Sequence, residues 1–466
     1  MLERSTVQAV LSAALETGGD FAELYAQDSD KQNMNMLDGK IEQISSARGH
    51  GAGVRVLLGT RSIYAHSNDT SAESLLRCAK AAAAALAGER AARGDIVFSV
   101  PPKSDHTPVK TVPSSVERST KAALLRDAHR AAKAAAESIT QVSLSILESD
   151  QRVLIANSEG LWAEDRRVRT RFYATSVAGD GTQFQTGSDS LGMSMGYEAF
   201  TSGIIDPAAI AEQSALRAAV LLNAPECPAG SFPVVIDGGF GGVIFHEACG
   251  HALESSSVSY GNSVFAGKLG QKIAASCVTA IDDGTMKSQW GTSNIDDEGH
   301  PTQKNLLIQN GVLVGYLIDK LGGRRMGLPS TGSGRRQDHT YAPTSRMNNT
   351  YIAPGTDDEE EMIRTMGEGL YAKSMGGGQV NPLTGDFTFG VAEGYWIKDG
   401  KILTPVRGAA LVGKGSEVLL KIDRVGSKMW LGQGMCGAGS GSIPVALGQP
   451  RIRVSSMTVG GKGGAL

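Results

Sequence analysis

The chain has 466 residues, long enough for two or three domains and a substantial core. Its 45 basic and 48 acidic residues leave a net charge of −3. No basic stripe is available to neutralise phosphates, so nucleic-acid binding is not expected, and no apolar run approaches the roughly 20 residues of a helical membrane span. The start, Met1-Leu2-Glu3-Arg4, lacks a secretory apolar core, and five cysteines (Cys78, Cys227, Cys249, Cys277, Cys436) are scattered and odd in number. Both features predict a cytoplasmic protein with reduced thiols. The 59 glycines lie among patterned strands, which points to tight turns and close backbone approaches, not to disorder.

Apolar spacing at Val7, Val10, Leu11, Ala14 and Leu15 predicts a first helix over 5–17, ended by Gly18-Gly19. Strands are predicted at 21–27, 53–58 and 60–66, the last two joined at Gly59 as a hairpin. An alanine-rich helix over 71–87 has little side-chain bulk and can pack closely on a sheet. Residues 99–115, with Pro101, Pro102, Pro108 and Pro113, form a partly extended connector. A third helix is expected over 115–137. Strands follow over 141–195, with turns at Ser149-Asp150 and Ser158-Glu159-Gly160. Asp206-Pro207, an acidic cap with proline in the first turn, begins a helix that ends near Leu222.

A second connector, 225–230, leads into a different composition. A strand over 232–236 and a glycine turn (Asp237 to Gly242) precede a helix starting near Val243. Beyond about residue 275 the pattern is nearly all strand and loop, with one helix over 357–373. Asn310-Gly311 and Asp399-Gly400 sit between apolar runs and are two-residue hairpin signals, since both positions need φ > 0. The expected fold is α+β: an N-terminal α/β domain (1–225) with antiparallel sheet and helices, and a C-terminal β-rich domain (226–466) carrying a metal-binding helix.

That helix contains His246-Glu-Ala-Cys-Gly-His251. Neutral imidazoles bind a borderline metal such as zinc, and a neighbouring carboxylate can take a proton from a water there. The spacing is one residue longer than the familiar zinc helix. At about 100° per residue, positions five apart diverge by roughly 140°, so both rings reach one metal only if a π-type bulge absorbs a residue. Gly250 would ease that distortion. The plainer reading places His246 and His251 on two faces of an ordinary helix. Against it, Glu247 is costly to bury without a task.

Two histidines leave a zinc site short of a ligand. Three residues could supply it: Cys249 on the same helix, Cys436 in the glycine-flanked stretch 432–439 where its thiol would be accessible, and Glu254, three residues after His251. Chemistry alone does not separate the two cysteines. The Asp237 to Gly242 turn lacks a phosphate-loop ending and offers backbone room beside the helix instead. The remaining histidines have no ligand-like spacing; His339, after Arg335-Arg336-Gln337-Asp338, could face substrate.

Several motifs together resemble the TldD subgroup of the TldD/PmbA family: His246 to Glu254, Gly334-Arg-Arg336, Arg346-Met-Asn-Asn-Thr-Tyr351, Asn381-Pro-Leu-Thr-Gly-Asp386, Glu393-Gly-Tyr395, and the tail from Cys436 to Pro450. The likeness spans nearly the whole chain in the right order. It implies a metallopeptidase whose Zn2+ is held by His246, His251 and Cys436, with Glu247 as general base. The family's usual residue at position 249 is aliphatic, so Cys249 departs from the pattern. The resemblance also implies unfolded or leader peptides as substrates, and a dimer, either with a second copy or with a TldE/PmbA-like subunit. The alternatives are a non-catalytic partner or modulator of a peptidase, or a DNA gyrase-associated modulator.

Overall fold

Alternating burial along the early strands sorts one face toward helices and the other toward the rest of the chain. The computed structural model describes residues 2–86, 88, 95–381 and 384–464. The predicted helix end at Ala87, and Pro382-Leu383 of the Asn381 to Asp386 motif, lie outside them. β1 (Phe21–Leu37), β2 (Lys40–Leu58), β3 (Arg61–Ser67), β4 (Ile139–Asn157), β5 (Trp162–Gly179) and β6 (Phe184–Met193) form one antiparallel sheet in the order β3-β2-β1-β4-β5-β6. Ala22, Leu24 and Ala26 of β1 pack with Ala52, Val54 and Val56 of β2 under the helices Arg4–Ala14 and Ala72–Ala84. The helices Arg118–Ala135 and Pro207–Leu222 cover the far part of the sheet. Asp206 Oδ1 accepts from the N–H groups of Ala208 and Ala209, the cap that its sequence predicts.

Two strand expectations change. The first strand runs on past residue 27 to a turn at Asp38-Gly39 (φ 45° and 80°) and returns through residues read as unassigned. The outer stretch of β2 is mostly exposed, so it carries no apolar alternation to reveal it. Ser149-Asp150 is not a turn. Ser149 pairs with Lys31 and Arg169, and Asp150 with Asp30 and Val168. The polar pair stays in the strand because Arg166 holds the Asp150 carboxylate with two hydrogen bonds, at 2.9 and 2.6 Å.

The second half of the chain builds an 11-stranded mixed sheet. Its pairings run from Gly441–Gly460 to Ala410–Lys414, Asp386–Lys398, Gly369–Val380 and Gly230–Ile236, then back to Gly441–Gly460, so these strands close on themselves. Closure pairs each of these five strands on both sides and encloses a core of Val234, Ile236, Leu370, Phe387, Phe389, Leu411 and Val454, while the strands branching from them keep free edges. The Asn310-Gly311 and Asp399-Gly400 hairpins form with positive φ at all four residues. The helix expected over 357–373 is only Glu359–Arg364. Gly367 at φ 77° turns the chain, and Leu370 to Ala372 then pair in parallel with Val234 to Ile236. The α+β class with a β-rich C-terminal half stands.

A buried charge network joins the two halves. Glu23 of β1 accepts from Arg55 at 2.9 Å and from Arg336 at 2.7 Å, and Arg55 also donates to Glu298 at 2.6 Å. Arg167 of β5 pairs with Asp297, whose other oxygen accepts from the Arg336 N–H at 2.7 Å. Charges this far from water persist only when paired, so the network fixes how the 294–298 loop sits on the first sheet.

Candidate metal centre

The strand Gly230–Ile236 leads through the glycine turn directly into the histidine segment. A Cβ at Gly242 would lie 2.5 Å from the Gly448 nitrogen, so the glycines are needed for close backbone approach. Val243–Phe245 starts as α-helix and buries all three side chains. His246–Gly250 is a π turn, and His251–Leu253 tightens to a 3₁₀ turn. The bulge that the spacing requires is therefore present, and it brings the His246 and His251 rings to a centroid separation of 5.2 Å.

Gly250 has a different job from the one expected. Its φ of −56° and ψ of −50° are ordinary right-handed helix. Space is the constraint: a Cβ there would lie 2.2 Å from Met347 Sδ.

Cys436 approaches from the hairpin of Ile422–Ala438 and Gly441–Gly460, where it pairs with Ile443. It lies in a strand and is buried, not in an open loop as its glycine neighbours suggest. Its Sγ is 3.3 Å from His246 Nε2 and 3.1 Å from His251 Nε2. Among the described residues, His246, His251 and Cys436 form the one trio whose possible ligand atoms converge, all within 4.8 Å.

The other candidates part from this trio. Cys249 joins the apolar core with Phe245 and Ala248, and burial pushes its thiol far up, into an inert form. Glu254 accepts no place in the trio; its Oε1 meets His251 Nδ1 at 3.1 Å. Glu247 Oε2 lies 3.7 Å from His251 Nε2, too long for a hydrogen bond, and its side chain is 28% exposed. His339 is buried against β2 and β3, with Nε2 2.7 Å from Asn68 Oδ1.

Electrostatics reinforce the grouping. Burial alone would raise the Cys436 thiol, but the charge and hydrogen bond of His246, then those of His251, bring it down to about 4. Burial likewise disfavours a proton on His251, yet Glu254 and Cys436 outweigh it and raise its pKa well above the usual imidazole range, so a metal must displace that proton to use His251 as a ligand. Two imidazole nitrogens and a thiolate are a zinc donor set, and oxygen-seeking magnesium or calcium would not choose it. The residues thus fit the implied metal by donor chemistry. His246 Nδ1 is buried and has no hydrogen-bond partner among the described residues, whereas His251 has Glu254. Sequence reasoning missed Arg346 and Met347 as neighbours of the site; only their place in a family-like motif hinted at them.

Comparison with known proteins adds three domain matches: PmbA/TldA metallopeptidase domain 1 at residues 22–86, the central domain at 112–222 and the C-terminal domain at 229–461. The chain is 35% identical to a metalloprotease TldD homolog of Haemophilus influenzae, covering 95% of this chain and 93% of that one. It is also 35% identical to a metalloprotease of Methanothermobacter thermautotrophicus, over 96% and 97%. A zinc metalloprotease TldD homolog of Saccharolobus solfataricus matches at 30% over about half of each chain. Among solved structures, a candidate modulator of a DNA gyrase from Thermotoga maritima superposes with TM-score 0.79 at 19% identity, covering 98% of this chain and 99% of that one. TldE from Thermococcus kodakarensis superposes with TM-score 0.75 at 19% identity, covering 97% and 99%. These two likenesses speak to the fold.

Proposed function

Because the chain belongs to the PmbA/TldD metallopeptidase family, we propose that it is a zinc peptidase acting on unfolded or leader peptides, with His246, His251 and Cys436 as ligands and Glu247 as general base. The observation that carries this reading is the convergence of two imidazole nitrogens and a thiol from segments about 190 residues apart. A non-catalytic modulator leaves that convergence without a purpose. The choice of zinc is supported by the donor set and by the name of the Saccharolobus relative.

When bound, the metal supplies Lewis acidity toward a scissile carbonyl and a water. The protein's own groups do the rest. Glu247 is partly exposed and next to His246 in the chain, placed to take a proton from the attacking water and pass it to the leaving amine. Glu254 orients His251 through Nδ1. An extended peptide would pair its backbone with a sheet edge, a mode that tolerates many sequences and rejects folded substrates. The partner is a second copy or a TldE-like chain, a reading supported by the fold likeness to TldE. All five cysteines are free, which supports a reducing, cytoplasmic setting; no helix among the described residues is long and apolar enough to cross a membrane.

Elemental analysis of protein purified without added metal should find one zinc per chain, and the same preparation should cut unstructured peptides. A well-folded protein that takes up no zinc on titration overturns the reading.

A further inference from the structure

Glu254 and Arg346 are both buried, and neither is needed as a ligand by the reading above. Arg346 is 0% exposed, and its Nε lies 4.0 Å from Glu254 Oε1, an ion-pair separation. The same carboxylate oxygen is 3.1 Å from His251 Nδ1. The far end of the guanidinium grips the cysteine hairpin: Nη2 donates to the Cys436 carbonyl at 2.6 Å, and Nη1 donates to Ser440 Oγ and the Gly441 carbonyl, each at 3.0 Å.

That hairpin carries Gly434, Gly437, Gly439 and Gly441 around the cysteine. Such a stretch has little rigidity of its own. Anchoring the Cys436 carbonyl fixes its Cα, and with it the direction of the thiol. The residues flanking Arg346 seat it on the histidine segment. Ser345 Oγ accepts from the Ser256 N–H at 2.9 Å, and Met347 fills the space beside Gly250.

We propose that Glu254 and Arg346 are positioning residues that form one brace for the metal centre, Glu254 setting the tautomer and angle of His251 and Arg346 holding Cys436 in register with it. The histidine segment and the cysteine hairpin meet through this pair as well as through the ligand atoms. Glu254, a candidate ligand by spacing, thereby acts one step removed from the metal. Partners of this kind change metal affinity by about 10–100-fold when removed.

The brace rests on the metal-centre reading, and the test separates the two. Glu254→Gln keeps the shape and removes the charge; Arg346→Lys keeps the charge and removes the fork that spans both elements. Zinc affinity is measured by competition with a chromogenic chelator, thermal unfolding of the metal-free forms by circular dichroism, and the thiolate-to-cobalt absorption band on Co(II)-loaded protein. Each variant should bind zinc 10–100-fold more weakly while keeping the thiolate band, because the ligands themselves are unchanged. The double variant should be within about 3-fold of the weaker single one, because the two act through one connection. Folded variants with wild-type affinity overturn the brace. So does a pair of variants that are both unfolded even with zinc present, since the residues would then serve the fold at large. Wild-type protein that binds no zinc refutes the metal centre itself.

Discussion

Replacing Gly250 with alanine tests whether the glycine serves backbone conformation or space. Its torsions are those of a regular helix, so the backbone should favour alanine by about 1 kcal/mol. Space opposes it. The added Cβ would lie 2.2 Å from Met347 Sδ and 3.0 Å from its Cε, and Met347 is 0% exposed, so its thioether must shift against buried neighbours and not into solvent. Overpacking of this kind costs about 1–3 kcal/mol. The net expectation for Gly250→Ala is a loss of up to about 2 kcal/mol and weaker zinc binding, as Met347 pushes on Arg346 next to it. In a Met347→Ala background the obstruction is gone, and the sign should reverse: Gly250→Ala should then stabilise by about 0.4–1 kcal/mol. Thermal unfolding reads this, at about 2–4 °C per kcal/mol for a unit of 150–250 residues. A Gly250→Ala that destabilises equally in both backgrounds refutes the steric argument and returns the glycine to a conformational role in the π turn.

Glu247→Ala should retain fold and zinc and lose peptide cleavage by about 10²–10⁴-fold, the range of a positioned acid–base group; wild-type turnover in a single-substrate peptide assay would remove Glu247 from the mechanism. Cys436→Ala should release or greatly weaken zinc and abolish cleavage, while Cys249→Val, in the apolar core, should change neither by more than a few-fold. Zinc loss in the second variant with retention in the first would reverse the ligand assignment. Asp297 is buried, which by itself would raise its carboxyl, but Arg167 and Arg336 hold it below the ordinary value. Its stabilisation is therefore full above an unfolded value of about 3.9 and is lost as pH falls through the lower folded value. In urea titrations, Asp297→Asn should lie well below wild type at pH 7, and the gap should narrow as pH drops below about 4; a constant gap would argue against the ion pair.

Much of this molecule is written in local signals. Torsional demands at Asn310-Gly311 and Asp399-Gly400, and the cap at Asp206, act within a few residues, so composition alone places those turns and that helix start. The five-residue histidine spacing likewise requires a π turn if both rings are to meet, whatever surrounds it. Where local signals were absent or ambiguous, the reading erred: the exposed end of β2 shows no alternation, and Leu370 to Ala372 are as compatible with a helix as with the strand they form. Cys249 and Cys436 are nearly equal as thiols in the sequence. What separates them is the closed sheet, which carries the Cys436 strand across to His246 and seals Cys249 into the core. The same long-range packing gives Gly250 its reason in Met347, Glu254 its second partner in Arg346, and Glu23 its two arginines from distant segments. Backbone torsion and periodicity are properties of neighbours in the chain, whereas the pairing of buried charges and ligands is decided by which remote surfaces share a core once water is excluded.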